Sequence, residues 1–145
     1  MSYDLDLFIP QANIDPITTI QEAALHADSA QHPINHTLIT VLKKDNPEFH
    51  VQKTDAAIGI IEHTHGIKIS LYYNGGQVNI PYWHSDQQVQ RIVFWNVRRY
   101  LRLIQAETDY AIYDSQLGRV VTIEDDIPTI IASYQRAIAN MPSFL

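Results

Sequence analysis

His63 and His65 are spaced for chemistry. Alternate side chains of an uninterrupted strand share a face, and two imidazoles so placed can begin a zinc or iron site. Third ligands would come from Glu62, His50 or His84, so His63, His65 and His84 make up the metal-site alternative, a small histidine-based, metal-dependent enzyme. Against it, Gly66 follows at once and turns the chain, which takes His65 out of phase with His63. The plainer reading is a pair of polar side chains at a hairpin edge, with no metal and no cofactor.

Asp4 and Asp6 also share one face of a strand, where two carboxylates could act as acid and base. Nothing beside them in sequence supplies the desolvation or the extra charge that would separate their pKa values, so they read as a hydrated face open to a partner. Tyr113, Asp114, Ser115 and Gln116 line up a phenol, a carboxylate, a hydroxyl and an amide. Asp and Ser at a strand end bond their own backbone, and Gly118 supplies the permissive residue, so this run is expected to be a turn. The frames GxSxG, GxGxxG, HExxH and the phosphate-binding GxxxxGKS or GxxxxGKT are all missing, and no catalytic residue is assigned.

Arg91, Trp95, Arg98 and Arg102 recur at helical spacing and form the strongest candidate for recognition. Trp and Arg are enriched at binding hot spots, where a rigid ring fills a pocket and a guanidinium pairs with a carboxylate. Their ordinary role would be to cover the core's flank, with Arg98 stacked on Trp95. Together with Asp4 and Asp6 they make up the expected protein-binding set.

These residues need elements to hold them. Asn74, Gly75 and Gly76 divide two alternating runs, Ile67, Ile69, Leu71, Tyr73 and Val78, Ile80, Tyr82, which predicts a hairpin turning at the Asn-Gly-Gly step. Ile58 to His63 should add a third strand to make a meander. Ser85 and Gln88 fit a capping box, opening a helix whose inward stripe is Val89, Ile92, Val93, Val97, Tyr100, Leu101 and Ile104.

Earlier in the chain, Tyr3, Leu5 and Leu7 predict a strand. Asp15 and Pro16 open a helix with Ile17, Ile20, Ala24 and Ala27 inward, and a second helix spans about Ile34 to Lys44. Two short strands near Ala111 to Tyr113 and Arg119 to Ile123 precede a last helix, capped by Thr122 or Asp126, with Pro128 in its first turn. The sum is an α+β fold, a single domain over residues 1–145, with a mostly antiparallel sheet, a central three-stranded meander and helices on one face.

Composition supports an ordinary globular core: 145 residues, 46% hydrophobic, 18% charged and without cysteine. No apolar run is long enough to span a bilayer and the acidic N-terminus is unlike a secretory signal, so a cytoplasmic protein with no membrane contact is expected. The formal net charge is −6, most of it in the first half of the chain, which disfavours nucleic acid and favours a basic partner protein.

The opening MSYDLDLF, the arm VNIPYW before the long helix, and YDSQLGR after it resemble a loosely defined group of small bacterial proteins. Members begin MSYDL, carry a YDPQ-like element after a helix, and accompany polymorphic toxin or secretion clusters. Ser115 stands where that group commonly has proline. The resemblance implies an immunity protein that binds a cognate toxin or effector, with no catalytic residues to carry over. A structural module that forms a homodimer through the hairpin edge or the Trp95 face is the other non-enzymatic expectation.

Overall fold

The computed structural model describes residues 1–25, 32–54 and 57–141. In chain order the elements are β1 (Ser2–Phe8), α1 (Pro16–Ala24), α2 (Pro33–Asp45), β2 (His50–Lys53), β3 (Ile58–Glu62), β4 (Ile67–Tyr72), β5 (Gly75–Pro81), α3 (Gln87–Glu107), β6 (Ala111–Asp114), β7 (Arg119–Val121) and α4 (Ile123–Ala139). The strands form one seven-stranded sheet, ordered β2-β3-β4-β5-β1-β6-β7, in which every pairing is antiparallel. The α+β architecture and the β3-β4-β5 meander are as the sequence predicts. The short strand β2 is an addition, paired to β3 and exposed along most of its length.

Strand alternation divides the sheet into two faces. Tyr3, Leu5 and Leu7 of β1 join Ile60, Ile69, Leu71, Val78, Ile80 and Ile112 in the core cluster, together with Leu38 and Leu42 of α2, Val93, Phe94, Val97 and Leu101 of α3, and Ile130 and Tyr134 of α4. Leu7→Ala at such a site removes a buried isopropyl group, an expected cost of about 2–5 kcal/mol. Phe8 points the other way and is also buried, at the end of the opposite face where the Ala23 side chain of α1 lies 3.4 Å from the place a Gly75 Cβ would take. Among the described residues, no helix is long and apolar enough to cross a membrane.

Several local expectations change. The hairpin turns at Tyr73 and Asn74, with Asn74 at φ 56°, and Gly75 and Gly76 already belong to β5. Their glycines are needed for space: a Cβ on Gly76 would stand 2.5 Å from the Ser70 carbonyl oxygen, and one on Gly75 2.8 Å from that of Leu7. Because β4 pairs with β3 and β5 with β1, this hairpin has no free edge through which to dimerise.

Helix α3 is capped by Asp86, whose Oδ1 accepts from Gln88 N at 2.8 Å and Val89 N at 3.1 Å, in place of the Ser85–Gln88 box. Asp15 caps α1 as expected, but Ile17 is half exposed and Thr19 takes the buried position, while Ala27 lies outside the described residues. Thr122 occupies the N-cap position of α4 without a side-chain cap bond, which puts Pro128 inside the helix beyond its first turn. Asp126 still serves the cap, its Oδ2 accepting from Thr122 N at 2.7 Å.

Candidate functional site

Helix α3 packs Val93, Phe94, Val97, Leu101 and Ile104 on the sheet, with Gln90 also buried. At 3.6 residues per turn, Ile92 lies about 140° around the helix from Val97, so it faces outward. It is 54% exposed, contrary to its expected place in the inward stripe, and beside it Trp95 is 62% exposed. From there Arg98, Arg99, Arg102, Leu103 and Ala106 continue one side of α3, and with Trp95 they line a shallow groove of about 440 Å³.

The neighbouring helices hold the groove in shape. The Arg98 guanidinium lies 5.2 Å from the Trp95 ring centroid, and its Nη2 is 2.7 Å from Glu124 Oε2 in the first turn of α4. The other carboxylate oxygen of Glu124 stands 3.0 Å from Arg102 Nε. On the opposite flank, Arg99 Nε pairs with Asp45 Oδ2 at the end of α2, at 2.9 Å. Such exposed pairs contribute about 0–1 kcal/mol each, so their main effect is to fix where the side chains stand. Arg91 is exposed on the same helix and makes no ion pair among the described residues.

Of the residues expected in the protein-binding set, the structure brings Trp95, Arg98 and Arg102 into the groove and leaves Arg91 one turn away. Arg99 and Leu103 were missed, although they stand at i+4 and i+8 from Trp95 and the helical spacing alone could have found them.

Asp4 and Asp6 are elsewhere. They alternate with Tyr3, Leu5 and Leu7, so they project from the far face of the sheet, away from α3. Asn79 Nδ2 donates to Asp4 Oδ1 at 2.6 Å, Gln77 Nε2 donates to Asp6 Oδ1 at 2.9 Å, and Ser2 donates to Asp4. Burial raises the Asp6 carboxyl above its ordinary pKa against the Gln77 hydrogen bond, and the charges of Asp4 and Asp114 add to the rise. The two carboxylates thus belong to a polar ladder of cross-strand side chains, and no single flat partner covers both them and α3.

The histidines do not assemble. Among the described residues, no group of three or more His, Cys, Asp or Glu side chains could hold a metal ion. His65 Nδ1 stands 3.0 Å from Glu62 Oε1, while His84 Nε2 donates to the His65 carbonyl oxygen at 2.8 Å. His63 is turned to His50, with ring centroids 6.0 Å apart. Gly66, at φ 73°, makes the turn that separates them.

Glu62, considered only as a third ligand, is instead buried at 2% exposure and stabilises that turn. Its Oε1 accepts from His65 N at 2.7 Å and its Oε2 accepts from the Tyr100 hydroxyl at 3.1 Å. Burial and this carboxylate push the Tyr100 phenol up to about 12, partly offset by the hydrogen bond from Asn46.

The Tyr113–Gln116 run forms the expected turn. Asp114 Oδ1 accepts from Gln116 N at 2.9 Å and Leu117 N at 3.0 Å, and Gly118 sits at φ 69°. Asp114 is also fully buried, where its Oδ2 accepts from the Tyr3 hydroxyl. The carboxylate therefore ties the β6–β7 turn to β1 in the core. Comparison with protein-family models, with curated proteins and with solved structures gives no match to this chain.

Proposed function

We propose that this chain is a non-catalytic protein-binding domain, an immunity-type protein that neutralises a cognate toxin by occluding it through the outer face of α3. The observation that carries the reading is Trp95, an indole 62% exposed yet held under the Arg98 guanidinium. An exposed aromatic already fixed in place loses little rotamer entropy on binding, so most of its apolar contact is available as affinity. The groove beside it is shallow and surrounded by guanidiniums, a shape suited to a protein surface more than to an enclosed small molecule.

The choice of a toxin as partner rests on the resemblance of the MSYDLDLF and YDSQLGR segments to proteins of toxin clusters. Purifying the chain with the product of the adjacent open reading frame tests it. A stable one-to-one complex, with protection of cells that make that product, is the expected result. Neither complex nor protection removes the reading.

A further inference from the structure

We infer that the segment of the partner that docks on α3 is acidic, a carboxylate-bearing stretch with an apolar side chain for Trp95; this rests on the α3 face being the binding surface. Net charge alone points the other way, since a chain of −6 would be matched with a basic partner. The charge is not evenly placed. Arg91, Arg98, Arg99 and Arg102 lie on this side of α3, and the carboxylates that pair with them are two, Glu124 and Asp45. Asp4 and Asp6 are behind the sheet and do not neutralise these guanidiniums.

The pairing geometry adds a second argument. One carboxylate, Glu124, serves both Arg98 and Arg102, so each guanidinium keeps donors free for a further acceptor. Arginine is suited to that use because its planar fork meets a carboxylate through two parallel hydrogen bonds. Leu103, Ala106 and the Trp95 ring supply apolar floor between the charges. A second copy of the same face would bring guanidiniums against guanidiniums, which opposes symmetric pairing through α3.

Four probes test this by NMR shifts of the Trp95 indole, with the Trp83 indole as internal reference: a short amphipathic Glu/Leu peptide, its Lys/Leu counterpart, a single-stranded oligonucleotide and inorganic phosphate. The Glu/Leu peptide is expected to bind at Trp95, about tenfold more weakly as salt rises from roughly 0.05 to 0.5 M. Arg102→Gln and Arg99→Gln should each weaken it several-fold, with thermal melts confirming that the variants fold, and Arg91→Glu covers the case in which either does not.

Equal or tighter binding of the Lys/Leu peptide or the oligonucleotide overturns the inference. So does displacement of the Glu/Leu peptide by millimolar phosphate, or binding that ignores all three arginine changes. Failure here is separable from failure of the immunity reading. A protective complex with the adjacent product that needs Trp95 but is unchanged by the arginine substitutions sinks the inference alone, whereas acidic-peptide binding without protection sinks only the immunity reading.

Discussion

Asp114 shows how a residue that looks like chemistry can be structural. Its buried carboxylate receives the Tyr3 hydroxyl in the interior and two part-buried turn N–H groups. Asp114→Ala leaves the buried Tyr3 hydroxyl without an acceptor, at about 1–3 kcal/mol, and removes two part-buried turn bonds, so a loss of roughly 2–4 kcal/mol is expected in urea unfolding. A change below about 1 kcal/mol contradicts the assignment.

Asp6 predicts the opposite sign. Its raised carboxyl pKa, caused mainly by burial, means the ionised form is disfavoured in the folded chain, so its contribution is lost as pH rises from the ordinary carboxylate range through the raised value. Asp6→Asn keeps an acceptor for Gln77 and removes the charge. Its melting temperature should exceed that of the parent at pH 7 and converge with it in acid; a lower value at neutral pH would show that the charge is favourable. The turn role of Asp114 was legible from its residue types, but its link to Tyr3 was not, because that partner is 111 positions away.

At the scale of elements, periodicity revealed the strands, the meander and the long helix, since each has a buried face of several residues. What it missed depends on neighbours. Ile92 fits the inward stripe by hydrophobicity alone, although the phase set by Val93, Val97, Leu101 and Ile104 turns it outward. Gly75 and Gly76 looked like turn residues, yet their role is to let β5 pass close to the backbone on either side.

This separates two glycine substitutions. Gly76→Ala places a Cβ 2.5 Å from a backbone oxygen in the middle of the sheet, whereas Gly118→Ala meets nothing within 4 Å and is opposed only by its φ of 69°. Gly118→Ala should cost about 1–2 kcal/mol. Gly76→Ala should cost clearly more in the same unfolding assay, and equal losses would mean that the sheet backbone yields.

For the whole molecule, the buried phenols make a pH prediction. Burial chiefly, with hydrogen bonds partly opposing it, raises Tyr100 and Tyr134 to about 12, and Tyr3 is pushed up by burial and by its bond to Asp114. The unfolded chain releases these protons near pH ~10 while the folded chain retains them. Stability from this source is therefore complete below pH ~10 and declines as pH rises toward the folded values. The urea midpoint should fall between pH ~8 and pH ~11, with tyrosinate absorbance appearing together with unfolding; tyrosinate that forms fully before unfolding contradicts it.

The charge map is a property of the same scale that one-dimensional reading could not deliver. Asp4 and Asp6 and the α3 arginines looked like parts of one binding set, but the sheet lies between them. The histidines looked like a possible site, and one turn at Gly66 sends them to different partners. What remains is one helix, α3, on which an accessible indole and four guanidiniums lie together, while the other exposed indole, Trp83, stands apart in the turn between β5 and α3.

The most direct test is titration of the adjacent gene's product against the parent chain and Trp95→Ala. Because the ring is exposed, the variant should unfold within about 0.5 kcal/mol of the parent. Its affinity should fall about 30-fold or more, the loss typical of a hot-spot aromatic. Equal affinity for the two proteins, with both fully folded, would contradict the claim that this helix face makes the contact.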